Sequence, residues 1–148
     1  MATTRYFVCM KCKSHQRASS LFDALFDSAH GKLLCCPCGG TQRLCLEFQF
    51  GLNAKSWRCY LIKAYLPDRP VNWSDLDGKK VEHYPFLVVM EGIDNPENKA
   101  IWLPYWHLHY RCKEDTPLKK FGQWAPHMDI DVFVGLIKKA KVGGHICL

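Results

Sequence analysis

At 148 residues and 48% hydrophobic, the chain is long enough to bury a core of its own, so a metal is needed only where local sequence fails to supply one. No apolar run reaches the roughly eighteen residues of a membrane span, and Met1 to Tyr6 lacks the apolar stretch of an export signal, so the expectation is a soluble, intracellular protein, cytoplasmic or nuclear. The formal charge of +6 falls to +4 if four cysteine thiolates hold one dication, a mildly basic balance that is compatible with nucleic acid without demanding it.

Arg5 to Val8 predicts a short strand running into Cys9-Met10-Lys11-Cys12, and Lys13 to Arg17 is polar and alternately basic. A helix follows. Ser20 with Asp23 three residues later has capping-box spacing, Leu21, Phe22, Leu25, Phe26 and Ala29 share one face, and Gly31 is placed to end it. After Cys35-Cys36-Pro37-Cys38-Gly39-Gly40, the alternation of Leu44, Leu46, Phe48 and Phe50 with Cys45, Glu47 and Gln49 predicts a half-buried strand. Gly51 to Lys55 is the expected boundary between a module of residues 1–50 and a β-rich part of residues 51–148.

Trp57 to Leu66 reads as a strand closed by Pro67-Asp68-Arg69-Pro70, and Asp77-Gly78 as a turn before Lys79 to His83. Pro85 to Ile93 and Lys99 to Tyr110 form two apolar runs joined by Asp94 to Asn98, with the length and composition of a hairpin. Pro104 donates no ladder hydrogen bond, so the second run must lie at an edge or break there. Near the C-terminus Asp129 can cap a helix. Its expected buried stripe is Ile130, Phe133, Val134 and Ile137, its last turn carries Lys138, Lys139 and Lys141, and Gly143-Gly144 stop it.

Nine cysteines, four of them in two C-x-x-C pairs, are spaced as metal ligands of a reducing compartment rather than as a disulfide framework. A C-x-x-C turn sets two thiolates on one side of a tight bend, and two such turns complete a tetrahedron. Cys9, Cys12, Cys35 and Cys38 are the predicted ligands of one structural zinc, with Cys36 and Cys45 as alternative donors. Gly39 lets the chain leave the second turn with a positive φ. Over roughly residues 5 to 50 these motifs resemble the zinc ribbons and rubredoxin-like zinc domains, whose pattern is two Cys-x-x-Cys-Gly knuckles followed by strands. The segment between the knuckles departs from that pattern in reading as a helix, and Pro37 stands before the last cysteine. Iron could use the same four sulfurs. A redox dithiol is disfavoured, because such motifs open a helix and Gly39-Gly40-Thr41 is a poor helix start.

Lys11, Lys13, Arg17 and Arg43, with Lys32 nearby, make a candidate phosphate-binding face, or else a solvated cationic surround for a site of net charge −2. His107 and His109 project to one side of a strand, with Cys112 close behind. A second metal there would require His83, His127 or Glu91 to converge on them. Trp102, Tyr105, Trp106 and Tyr110 read as core more readily than as base-stacking groups. No Gly-rich phosphate loop, G-x-S-x-G elbow or H-E-x-x-H helix occurs.

The expected fold is therefore α+β, a zinc-ribbon-like module packed with a mostly antiparallel sheet and a C-terminal helix. A tetrathiolate has no open coordination position, so the expected function is recognition by a small zinc-binding adaptor that contacts nucleic acid or a protein complex. The alternative is a metal-dependent hydrolase or nuclease with its site around His107 and His109.

Overall fold

A computed structural model describes residues 2–48, 56–69, 71–74, 79–109, 118–121 and 130–146. The chain is α+β, with two helices and mostly antiparallel strands in two sheets, and it divides into two compact units. The Gly51–Lys55 boundary, the Asp77-Gly78 turn, the Asp129 cap, Tyr110, Cys112 and His127 lie outside the described residues. No helix among the described residues is long and apolar enough to cross a membrane.

The first unit comprises Met1–Ala64 and Val88–Ile101. Its strands are β1 (Ala2–Cys9), β2 (His15–Arg17), β3 (Leu34–Cys35), β4 (Thr41–Phe48), β5 (Trp57–Tyr65), β8 (Leu87–Gly92) and β9 (Lys99–Trp102). They form a seven-stranded sheet in the order β2-β1-β4-β5-β8-β9, with β3 paired to the start of β4. Helix α1 (Leu21–Ala29) begins where its sequence signals place it, the Ser20 hydroxyl accepting the Asp23 amide at 3.2 Å. Gly31 ends it at φ +74°, and the Lys32 amide returns to the Asp27 carbonyl at 2.9 Å. The helix buries Leu21, Phe22, Ala24 and Leu25. Leu44, Leu46, Phe48, Cys59, Leu61, Val88 and Met90 complete the core of this unit.

The second unit comprises Tyr65–Leu87 and Trp102–Leu148. Its four-stranded sheet runs β11-β10-β7-β6, built from β6 (Val71–Ser74), β7 (Lys80–Pro85), β10 (Tyr105–His109) and β11 (Leu118–Phe121). The two long apolar runs are thus each divided between sheets. One breaks at Phe86 and the other at Leu103-Pro104, where the Phe86 amide donates to the Pro104 carbonyl at 2.8 Å. Pro104 has no amide to continue a ladder, so the chain leaves one sheet there and enters the other. Tyr105 and Trp106 are buried, as core aromatics are.

Helix α2 (Ile130–Val142) lies where expected, but its inward face differs. Leu136 and Ala140 are fully buried, whereas Phe133 and Val134 are 38% and 40% exposed, which corrects the assignment of Phe133 to the core. Small Ala140 and Leu136, one turn apart, form the packed line. The stem of Lys139 runs beside them, so that its ammonium reaches the Leu66 carbonyl at 2.9 Å and the Asp68 carboxylate at 2.6 Å. That contact holds the Asp68 carboxyl below its ordinary range. The Tyr65 hydroxyl and His145 Nδ1 close the end of the helix.

Candidate metal centre

The end of β1 and the turn after it carry Cys9 and Cys12, and the turn between β3 and β4 carries Cys36 and Cys38. The two turns are drawn together by the sheet. Cys9 pairs with Gln42, Leu34 pairs with Gln42 from its other side, and the Met10 amide donates to the Thr41 carbonyl at 2.9 Å. In consequence the sulfurs of Cys9, Cys12, Cys36 and Cys38 all lie within 4.8 Å of one another. Cys9 and Cys38 sulfurs are 3.4 Å apart, and those of Cys12 and Cys36 are 3.7 Å apart. A tetrahedron with zinc–sulfur bonds of about 2.3 Å has sulfur–sulfur edges of about 3.8 Å, so these spacings fit a metal at the centre.

The fourth sulfur of the set is Cys36, where the spacing of the sequence pointed to Cys35. Cys35 is the last residue of β3, paired with Thr41 and exposed. The chain then turns. The Cys36 amide donates to the Gly40 carbonyl at 2.8 Å, and the Gly39 amide returns to the Cys36 carbonyl at 2.8 Å. Successive side chains of an extended segment point to opposite sides, so turning Cys36 toward Cys9 turns Cys35 away. The second half of the site is a Cys-Pro-Cys turn. Cys45, the other alternative donor, is buried in β4 and belongs to no such group.

Around the sulfurs are groups that favour thiolates. The Cys12 amide donates to Cys9 Sγ at 3.4 Å, and this bond is the main reason the Cys9 thiol is pulled below its ordinary range. The Ser14 hydroxyl, 3.1 Å from Cys12 Sγ, together with the Ser14 backbone brings the Cys12 thiol down to about 6. At Cys38 the Gly40 amide favours the thiolate, yet the neighbouring Cys9 and Cys12 sulfurs outweigh it and push the thiol up to about 12. Cys9 and Cys12, whose environment favours the thiolate, thus stand beside Cys36 and Cys38 in a donor set that could hold a dication.

Two further residues build the site without ligating. Ser14 also lies 3.6 Å from Cys36 Sγ. Gly40 passes so close to the cluster that a Cβ there would stand 2.6 Å from the Lys11 Cβ and 2.7 Å from Cys9 Sγ. Gly39 takes φ +79°, as expected, with open space around it. The sequence assigns Gly39 to conformation, but only the structure assigns Gly40 to close approach.

No protein-family model, curated protein or solved structure matches this chain. Of the basic face, Lys11, Lys13 and Arg17 are exposed and make no ion pair among the described residues, Lys11 Nζ reaching only the Cys38 carbonyl at 3.3 Å. Arg43 is different. It pairs with Glu91 at 2.7 Å, and its guanidinium lies 4.7 Å from the centre of the Tyr60 ring, so its charge is largely compensated.

In the second unit His107 stands directly across from His83, their rings 5.1 Å apart, and His109 follows on the same side at 6.1 Å from His107. Burial, with a smaller contribution from His107, drives the His83 ring down to about 4, so both of its neighbours face a neutral imidazole near pH 7. Glu91 belongs to the first unit, where it pairs with Arg43. Among the described residues the cysteine set is the only group of three or more ligand atoms close enough to share a metal.

Proposed function

We propose that the chain is a zinc-held recognition module that grips the nucleic-acid backbone through Lys11, Lys13 and Arg17. The observation that carries this reading is the conjunction of a closed four-cysteine donor set with exposed Lys11 and Lys13 in and beside its first turn and exposed Arg17 at the end of β2, none of them with an acidic partner among the described residues. Four cysteine sulfurs suit zinc, and they leave it no open position for water or substrate, so the metal's role is to hold the turns. The cations then present a fixed pattern to phosphates.

One zinc per chain should be found by elemental analysis of the purified protein. Three neutralised phosphates on a duplex give a slope of log affinity against log salt of about −2.7, shallower than four would give because Arg43 is already paired. Replacing Lys11 and Lys13 by Gln should reduce that slope by about 1.8 without altering sequence preference. Absence of binding to any oligonucleotide at low salt would remove this reading and leave a protein complex as the partner.

The second reading, a metal-dependent hydrolase or nuclease around His107 and His109, has the alignment of His83 with His107 in its favour. Its test is a second transition metal per chain that disappears when His107 and His109 are both replaced by Ala.

A further inference from the structure

The seven-stranded sheet has two unlike faces. Cross-strand partners share a face, so the register sets Phe7, Leu44, Leu46, Cys59 and Leu61 on one side, where α1 lies over them with Ala24 and Ser28 lining the cleft. The opposite face carries a different set of residues. Arg17, Tyr6, Cys45 and Tyr60 form a row across β2, β1, β4 and β5, flanked by a second row of His15, Val8 and Arg43 and by Glu47 with Arg58.

We propose that this second face, centred on Tyr6, His15 and Tyr60, is a stacking platform for the bases of single-stranded nucleic acid. The proposal rests on the backbone-contact reading given above and names the kind of strand that reading concerns. Its geometry is that of two prebuilt stacks. His15 lies on Tyr6 with ring centres 5.0 Å apart and planes at 28°, and Arg43 lies over Tyr60 at 4.7 Å. His15 is exposed while Tyr6 and Tyr60 are half-buried, so each stack is anchored in the sheet, and the first ends in a ring whose outer side faces solvent. A base laid on His15 extends that stack, and a base beside the Arg43 guanidinium meets a second flat cationic plane.

Tyr6 and Tyr60 stand two strands apart, about 10 Å, with the buried sulfur of Cys45 as floor between them. A duplex keeps its base faces stacked on one another, so an unpaired strand is the one that offers faces to these planes. The charge matches the same occupant. Arg17 ends the row and makes no ion pair among the described residues, giving an unstacked strand a cation beside its bases, while Lys11 and Lys13 stand at the cysteine turn beyond the strand ends. Arg43 and Arg58 already face Glu91 and Asp94, at 2.7 and 3.9 Å, and serve as planes more than as charges. Aromatic faces accept any base, so affinity should depend on strandedness more than on sequence.

The test uses the full chain with its metal and fluorescently labelled oligothymidylate, an abasic strand of equal length, and a duplex, each across a salt series. The parent should bind the thymidylate strand more tightly than the abasic strand or the duplex. His15→Ala and Tyr60→Leu should each weaken thymidylate binding roughly 5- to 100-fold, with the salt slope unchanged, while His15→Phe and Tyr6→Phe keep it because the rings remain. Lys11→Gln with Lys13→Gln should instead flatten the slope on every strand, by about 0.7 per lost contact on single strands. Equal binding to abasic and thymidylate strands, or no effect of His15→Ala and Tyr60→Leu in folded protein, overturns the platform alone if the lysine effect persists. Loss of all binding at low salt overturns the platform and the backbone reading together.

Discussion

Gly40→Ala should cripple metal binding although residue 40 offers no ligand atom. The added methyl would stand 2.6 Å from the Lys11 Cβ and 2.7 Å from Cys9 Sγ, where uncharged heavy atoms rest at about 3.5 to 4.0 Å. Relief requires the two cysteine turns to part by roughly 1 Å, several times the tolerance of about 0.2 Å within which metal–ligand distances hold. Neither close neighbour is a flexible tip that can swing aside, because one is a Cβ fixed to the backbone and the other a ligand. The expected loss is at least the 10- to 100-fold that follows from disturbing the support of a metal site. Gly39→Ala is the control. It has no neighbour within 4 Å but a φ of +79°, so it should cost about 1 to 2 kcal/mol of backbone strain and leave the sulfur cluster shut. Titration with cobalt, followed by its thiolate absorption and competed with a chelator, reads both. A Gly40→Ala protein that binds cobalt as tightly as the parent would refute the close-approach argument, and a greater loss in Gly39→Ala would assign the strain to the wrong glycine.

Cys36→Ser should abolish stoichiometric metal while Cys35→Ser retains it, and elemental analysis showing the reverse would restore the C-x-x-C reading of the second turn. In α2, Leu136→Ala should cost about 2 to 5 kcal/mol in a denaturant melt and Phe133→Ala no more than about 1, since one side chain is sealed and the other is more than a third exposed. His83 is neutral when folded, with its ring driven down to about 4, and takes a proton near 6.5 when unfolded. The unfolded chain therefore binds more protons between those values, and stability should fall by up to about 3 kcal/mol as pH drops through that window. His83→Leu should flatten this part of the pH–stability curve relative to the parent; an unchanged curve would place the acid sensitivity elsewhere.

Much of the first unit was legible because its signals are local. Ser20, Asp23 and Gly31 act within a few bonds of the helix ends they fix, and the alternation of Leu44, Leu46 and Phe48 follows from the two-residue period of a strand. The stripe on α2 failed for the complementary reason. Phe133, Val134 and Ile137 do form an apolar line, but Leu136 and Ala140 form another, and which line faces inward is decided by what the rest of the unit presents, not by the helix. Each β-rich run breaks beside a proline, but a break is predicted only at Pro104, whereas Pro85, which also lacks a ladder amide, ends β7 just before Phe86.

The second cysteine turn shows where spacing alone stops. Cys35 and Cys36 are adjacent and chemically identical, so the sequence offers a C-x-x-C and a C-x-C in the same five residues, and the familiar spacing favours the former. The choice is made by pairing. Once Leu34 and Cys35 are held against Gln42 and Thr41, the side of the chain on which each thiol emerges is fixed, and only Cys36 emerges toward Cys9. The same register that selects the ligand also places Arg43 beside Val8 and lets it reach Glu91, removing it from the basic face that its sequence position had suggested. Ligand choice and surface charge are therefore two consequences of one alignment, that of β4 between its neighbours. A one-residue slip there would exchange Cys35 for Cys36 and reverse which face carries Tyr6 and Tyr60 relative to Arg43. Changes in metal binding and in the aromatic face should then appear together in any variant that disturbs β4, such as one with Pro in place of Leu44, and separately in variants that alter only Cys36 or only His15.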